Sequence, residues 1–240
     1  MAPEEFNYSK LKEIATNSGM SLFGVASLKG LESEFRISPE NVYSGLKYGI
    51  SMGFHLSDRV IDGIVDKPTK MYLFHYKRVN SVLDEAALKI TAYIQDQGYD
   101  ALPIHASQIS DWSGTMAGHV SHKMIARYAG LGWIGRSILL VNPIYGGRVR
   151  YVSVLTDMPL KVDGEKPGDC GACRKCISAC PAGAIKEKPE DFDLEACYQQ
   201  LTYFSKKENL GQHICGLCVR ACYGRRARGK HDSSEYSRSE

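Results

Sequence analysis

The sequence predicts an α/β domain followed by a small cysteine-dense module, and three observations predict it. Helix-period and strand-type apolar stretches alternate through the first two thirds of the chain. A stretch rich in Pro, Gly and charge, DMPLKVDGEKPGD, then breaks the pattern and supplies a domain boundary. All eight cysteines lie beyond it, between Cys170 and Cys222.

Taken in order, Leu11, Ile14 and Ala15 predict a short amphipathic helix over 9–17, stopped near Gly19, and SLFGVASL predicts a strand. YGISMGFHL reads as a second strand, whose Gly49 and Gly53 imply close backbone approach or a bulge. A helix over 56–65 is expected to end before Pro68. The strongest helix follows: Val79, Val82, Leu83, Ala86, Ala87, Ile90 and Ile94 share one face, with Gly98 placed to end it. His75 and Tyr76 fall at its start, where a His is more simply capped or solvated than a ligand. ALPIHASQISDW begins as a strand and becomes a polar loop with His105, Ser107, Gln108 and Asp111. A helix over 120–129 leads into AGLGWIG, then a strand, ILLV, a turn over 142–147 and a buried strand, RVRYVSVLTD. The Gly130-x-Gly132-x-x-Gly135 spacing is not a dinucleotide fingerprint, because it follows a helix and opens a strand. Its glycines are expected to approach something flat or bulky, with Trp133 presented beside them. A helix over 194–203 should carry Cys197. The domains expected are 1–160, an α/β domain; 161–223, the cysteine module; and 224–240, a basic tail expected to be disordered.

Composition narrows the classes. Of 240 residues, 43% are hydrophobic and 24% charged, as in ordinary globular proteins. No apolar run approaches the roughly 18 residues of a membrane span, and the polar start is unlike a secretory leader. No membrane association and a cytoplasmic location are expected. A net charge of +3 is too small to argue for nucleic acid, although Arg220, Arg225, Arg226, Arg228 and Lys230 crowd the end.

The cysteines carry the chemistry. Cys170-x2-Cys173-x2-Cys176-x3-Cys180-Pro181 is the bacterial ferredoxin signature, in which three close thiolates hold one [4Fe–4S] cluster and the fourth reaches a second. The later run, Cys215-x2-Cys218-x3-Cys222, lacks one member, which the isolated Cys197 can supply. The expected sets are therefore Cys170, Cys173, Cys176 and Cys222 on one cluster, and Cys180, Cys197, Cys215 and Cys218 on the other. Zinc is the alternative, but zinc ribbons rarely carry a third Cys at this spacing or a trailing Cys-Pro. Disulfides fit less well, because no cysteine lies outside the runs.

The run HKMIARYAGLGWIGRSILLV, the strand ending in LTD, and CGACRKCISACPAGAI with an incomplete second cysteine set resemble the core of epoxyqueuosine reductases and corrinoid-dependent reductive dehalogenases. The resemblance spans roughly 8–223 and implies a nitroreductase-like α/β domain that holds cobalamin, without flavin, followed by a two-cluster ferredoxin domain. It implies that electrons from a low-potential ferredoxin or flavodoxin cross both clusters to the corrinoid, with the Cys180 set nearest cobalt. The segments matching the family's corrinoid contacts supply Ser121, His122, Trp133, Ile134, Gly135, Arg136, Ile214 and Gly216. No D-x-H-x-x-G motif is present to give cobalt a histidine, so cobalamin is expected base-off.

Two departures qualify the resemblance. The family's proton-donating Asp, in an Asp-(Ser/Thr)-Ala-Pro motif, has no counterpart here, and ungapped counting reaches Met116. Asp111 is the candidate donor in its place; the alternative is a surface Asp capping a turn. The chain also stops soon after Cys222, where tRNA-acting members continue into a helical-repeat domain, so tRNA is not the expected partner. The sequence thus predicts a corrinoid iron–sulfur reductase of an unidentified small molecule. A non-catalytic electron-transfer or cobalamin-handling protein is the alternative, and a flavin-bound nitroreductase-like enzyme a third.

Overall fold

The computed structural model describes residues 2–108 and 117–224. A four-stranded antiparallel sheet in the order β1-β2-β6-β3 organises the first part. Its strands are β1 (Leu22–Ser27), β2 (Tyr48–His55), β3 (Ala101–Ile104) and β6 (Val149–Thr156); β3 is an edge and β6 lies inside. Both faces are covered. Strand alternation sends Val152 and Val154 of β6, with Ile50 and Met52 of β2, toward α1 (Pro3–Asn17) and α3 (Lys70–Asp96). Tyr151 and Leu155 point the other way, toward Ile125 and Ala126 of α4 (His122–Tyr128).

The central helix α3 is 27 residues long and starts well before the periodic run that announced it. Thr69 caps it, its hydroxyl accepting from the Tyr72 amide at 3.1 Å, so His75 and Tyr76 fall in its second turn. The buried face includes Val79, Leu83, Ala86, Ala87, Ile90 and Ile94, as the period requires. The expected helix before Pro68 shrinks to α2 (Asp58–Asp62), and α1 begins earlier than its apolar residues suggest, with Pro3 in its first turn. Gly49 is a close-approach position: a Cβ there would lie 2.8 Å from Leu28 and 3.0 Å from Ile125. The ILLV stretch yields only β5 (Leu140–Val141), paired with β4 (Trp133–Ile134) as a separate two-stranded sheet.

The boundary loop is fastened rather than free. The Val25 amide donates to the Asp163 carboxylate at 2.8 Å, the Asp163 amide returns a bond to the Val25 carbonyl, and Tyr8 donates its hydroxyl to the same carboxylate. Beyond it come α5 (Lys175–Ser178), α6 (Leu194–Lys207) and α7 (Leu217–Ala221). Phe204, Leu210, Ile214 and Leu217 of this region belong to the same apolar core as α3. The basic tail beyond residue 224 lies outside the described residues. Among the described residues no helix is long and apolar enough to cross a membrane.

Candidate functional site

All eight cysteines are free thiols; Cys173 is exposed and the others are partly buried. Cys176 lies in α5, Cys197 in α6, Cys218 in α7, and Cys222 is the residue that ends α7. The sulfurs sort by which thiolates they repel. Burial pushes Cys222 up to about 11, with further upward pressure from Cys170, Cys176 and Cys173. Burial likewise pushes Cys215 up to about 11, with Cys197 and Cys180 as its neighbours. Cys218 is raised further still, by burial and then by Cys215, Cys197, Cys176 and Cys180. Cys176, of the other expected set, is among the thiols that raise it, so the division is not complete at Cys218. Thiols held this far above their ordinary range are poor thiolates unless a positive centre compensates them. Among the described residues no three His, Cys, Asp or Glu side chains stand together as ligands for a single ion. A tetrahedral ion with bonds of about 2.3 Å would need its sulfurs about 3.8 Å apart, whereas a cube binds each thiolate at a separate iron and spreads them.

Residues of the sheet domain meet each group differently. At Cys170, a Cβ on Gly135 would lie 3.2 Å from the sulfur. The Arg136 guanidinium beside it donates to the carbonyls of Gly171 and Cys173, both at 2.9 Å. Near Cys222, Arg148 donates to Asp58 at 2.8 Å, to Asp62 at 2.7 Å and to the Arg220 carbonyl at 2.8 Å. At the other group, Gly216 has φ +84°, and a Cβ there would strike Ile64 at 2.6 Å and Tyr72 at 2.9 Å. Burial is the main cause raising the Tyr72 phenol; Arg150 opposes it, and Cys218 and Cys215 add to it.

A polar network lies at the end of β3. His122 Nε2 is 2.7 Å from the His105 carbonyl and therefore carries the ring proton, leaving Nδ1 to accept from Ser153 Oγ at 2.9 Å. Burial lowers the ring to about 4, so it is neutral at pH 7. One turn along α3 from Tyr72, Tyr76 has its hydroxyl 3.2 Å from Ser107 Oγ and its ring 4.2 Å from the Arg150 guanidinium. Burial raises this phenol, but Arg150 and the hydrogen bonds outweigh it and leave it below its ordinary value.

No family model matches the chain. It is 27% identical over 261 residues to an epoxyqueuosine reductase of Leadbetterella byssophila, a match covering 96% of this chain and 84% of that protein. The chain is thus similar to epoxyqueuosine reductases over nearly its whole length. An epoxyqueuosine reductase of Gloeobacter violaceus is 34% identical over 115 residues, 44% of this chain and 36% of the relative. In fold, the chain resembles a catabolic reductive dehalogenase, with a TM-score of 0.69 at 21% identity, over 92% of this chain and 32% of that one. It also resembles an epoxyqueuosine reductase solved with a modified tRNA stem loop, with a TM-score of 0.59 at 19% identity, over 81% of this chain and 56% of that one.

The residues expected to contact a corrinoid lie at the start of α4, on β4 and the turn after it, and at and just before the start of α7. Ser121 caps α4, accepting from the Met124 amide, and both His122 nitrogens are engaged. Ile134 pairs with Leu140, and Trp133 packs on the boundary loop, where a Cβ on Gly168 would lie 2.3 Å from its ring. Gly135 and Arg136 meet the Cys170 group, whereas Ile214 and Gly216 meet the Cys215 group. The glycines of AGLGWIG approach protein: a Cβ on Gly132 would lie 2.2 Å from the Val141 carbonyl oxygen, so the expected approach to a flat ligand gives way to close packing on β5. Asp111, the candidate proton donor, lies outside the described residues. Sequence reasoning missed Arg148 and Arg150, although two charges in an otherwise apolar strand segment were a signal. Two shallow depressions, of about 670 Å³ at Ile177, Ile185 and Asp191 and about 450 Å³ at Glu32, Tyr43 and Leu46, are lined by none of the expected corrinoid residues.

Proposed function

We propose that the chain is an oxidoreductase that carries single electrons through two [4Fe–4S] clusters to a base-off corrinoid, which reduces a small-molecule substrate. What supports this reading is the neighbourhood of the eight thiols: beyond burial, Cys222 is raised by Cys170, Cys176 and Cys173, and Cys215 by Cys197 and Cys180, as the expected sets require, while Cys218 has neighbours in both. Eight thiolates match two cubes, and the kinship with epoxyqueuosine reductases supports a reductase. A corrinoid would supply a cobalt centre able to pass electrons to carbon, chemistry that clusters alone do not perform.

The chain's own residues would do the rest. Exposed Cys173 marks the first set as the side reached by a low-potential ferredoxin or flavodoxin. Ile64 and Tyr72 keep water from the second. His122, with both nitrogens engaged, offers no lone pair to a metal, which suits a base-off corrinoid. A proton for the product would come from Asp111 or from the Tyr76 phenol, whose conjugate base Arg150 would stabilise. The tRNA of some relatives is not assigned to this chain.

Anaerobic reconstitution followed by iron and sulfide counts, then titration with hydroxocobalamin and with FMN, tests the proposal. About eight irons and a base-off cobalamin spectrum are expected; FMN binding without cobalamin binding would replace the corrinoid with a flavin. A second reading, electron delivery or cobalamin handling without substrate chemistry, is favoured by the lack of an Asp-(Ser/Thr)-Ala-Pro motif in the sequence. Loss of turnover in Asp111→Asn or Tyr76→Phe, with unchanged cofactor spectra, would reject that second reading.

A further inference from the structure

We propose that Arg136 and Arg148 are positioning residues through which the sheet domain holds the first cysteine set and makes its cluster easier to reduce. The inference rests on the two-cluster reading above. Cys170 and Cys173 lie on a loop whose carbonyls would otherwise face water. Arg136, on the turn between β4 and β5, spans that loop with two bonds of 2.9 Å, to Gly171 and Cys173, and its side chain is 14% exposed. Glu187 is 3.5 Å from its Nε but also pairs with Arg174, so two guanidinium groups share one carboxylate and a positive charge is left over.

The fourth ligand is held from the opposite side. The last carbonyls of a helix lack partners within the helix, and Arg148 supplies one to Arg220 in the final turn of α7. Its guanidinium also lies over the Tyr223 ring at 4.0 Å, so it grips the chain on both sides of Cys222. The Gly147 amide adds a bond to the Cys222 carbonyl at 3.3 Å. Asp58 and Asp62 of α2 fix the guanidinium, whose side chain is only 2% exposed.

Outer contacts of this kind orient ligands and tune a metal centre. Reduction adds one negative charge to a cluster, so a cation beside it stabilises the reduced form and moves the potential upward. Arg136 therefore acts on potential, and Arg148 on whether Cys222 is in place to complete the cluster.

The test uses the full chain, reconstituted anaerobically, as wild type, Arg136→Gln, Arg148→Met and, as a surface control, Arg127→Met. Iron is counted, and reductive titrations are followed by electron paramagnetic resonance. Arg136→Gln is expected to keep about eight irons and to move one of two midpoints to more negative potential. Arg148→Met is expected to lose about half the iron, the remainder giving the spectrum of one isolated cluster. Two unmoved midpoints, or two moved equally, in Arg136→Gln would overturn the inference, as would full iron in Arg148→Met. If Arg148→Met does not fold, the Arg136→Gln titration alone decides. Wild type with fewer than about eight irons would instead sink the two-cluster reading beneath it.

Discussion

The two cysteine sets are housed in opposite ways. The first has an exposed member, Cys173, and walls built from arginines, carboxylates and backbone carbonyls. The second is walled by Tyr72, Ile64, Ile214 and Leu217, which belong to the core of the sheet domain. A polar, cation-rich wall favours the reduced, more negative state of a cluster, and a dry wall disfavours it. On the proposed two-cluster reading, this difference would set two similar ligand sets at different potentials through what surrounds them.

The largest effect is expected where ligand membership itself is at stake. On the proposed two-cluster reading, Cys197→Ser should remove one cluster and about half the iron. Cys173→Ser should remove the other. Iron counts and the spectra of what remains check both; indistinguishable residual spectra would erase the contrast between the two walls.

Next comes the dry wall. Truncating a large buried aromatic costs about 3–5 kcal/mol, so Tyr72→Ala should destabilise the protein by that order in anaerobic denaturation. It should also admit water to the second set only, shortening that cluster's lifetime in air while the first keeps its own. Equal loss of both clusters would mean that the walls do not act separately.

How much of this was legible in the sequence depended on the range of the interaction. The cysteine spacing and the face of α3 are local patterns, and of the seven residues expected on that face all but Val82, which is half-buried, are buried. Capping by Thr69 is also local, yet it lies ten residues before Val79, where the periodic apolar run begins, so the run alone did not locate it. Arg136 reaches a carbonyl 37 residues away and Arg148 a carboxylate 90 residues away, pairings that no spacing announces. Arg136 reads as a corrinoid contact because its neighbours in sequence, Trp133 to Gly135, resemble a family motif; its bonds to the cysteine loop carry no such local signal.

Acid is expected to act on neither wall first. His122 has its folded value lowered to about 4 from 6.5, so the unfolded chain binds more protons between these values. Its contribution is therefore present above about pH 6.5 and lost as pH falls toward 4, a span worth up to about 3 kcal/mol. Because the ring is tied to Ser153 of β6 and to the His105 carbonyl, the loss should appear as unfolding of the sheet domain. Iron from both sets should then leave together. His122→Gln should flatten the acid limb of a stability–pH profile, and iron leaving in two separate steps over this range would count against the linkage.

The smallest effect is also the most selective. Glu187 takes a hydrogen bond from Arg174 and lies 3.5 Å from Arg136, and these partners hold its carboxyl below its ordinary value. Glu187→Gln removes a negative charge from the cation-rich wall and leaves the dry wall untouched. The first midpoint should move to more positive potential, opposite in sign to the shift in Arg136→Gln, while the second stays fixed. The carboxylate is solvent-exposed, so water and salt screen it and the shift should shrink as ionic strength rises. A shift in the same direction as Arg136→Gln would mean that the carboxylate acts by holding Arg136 in place rather than through its own charge. Comparing the pair of variants at low and high salt therefore separates charge from position in the wall of the first set.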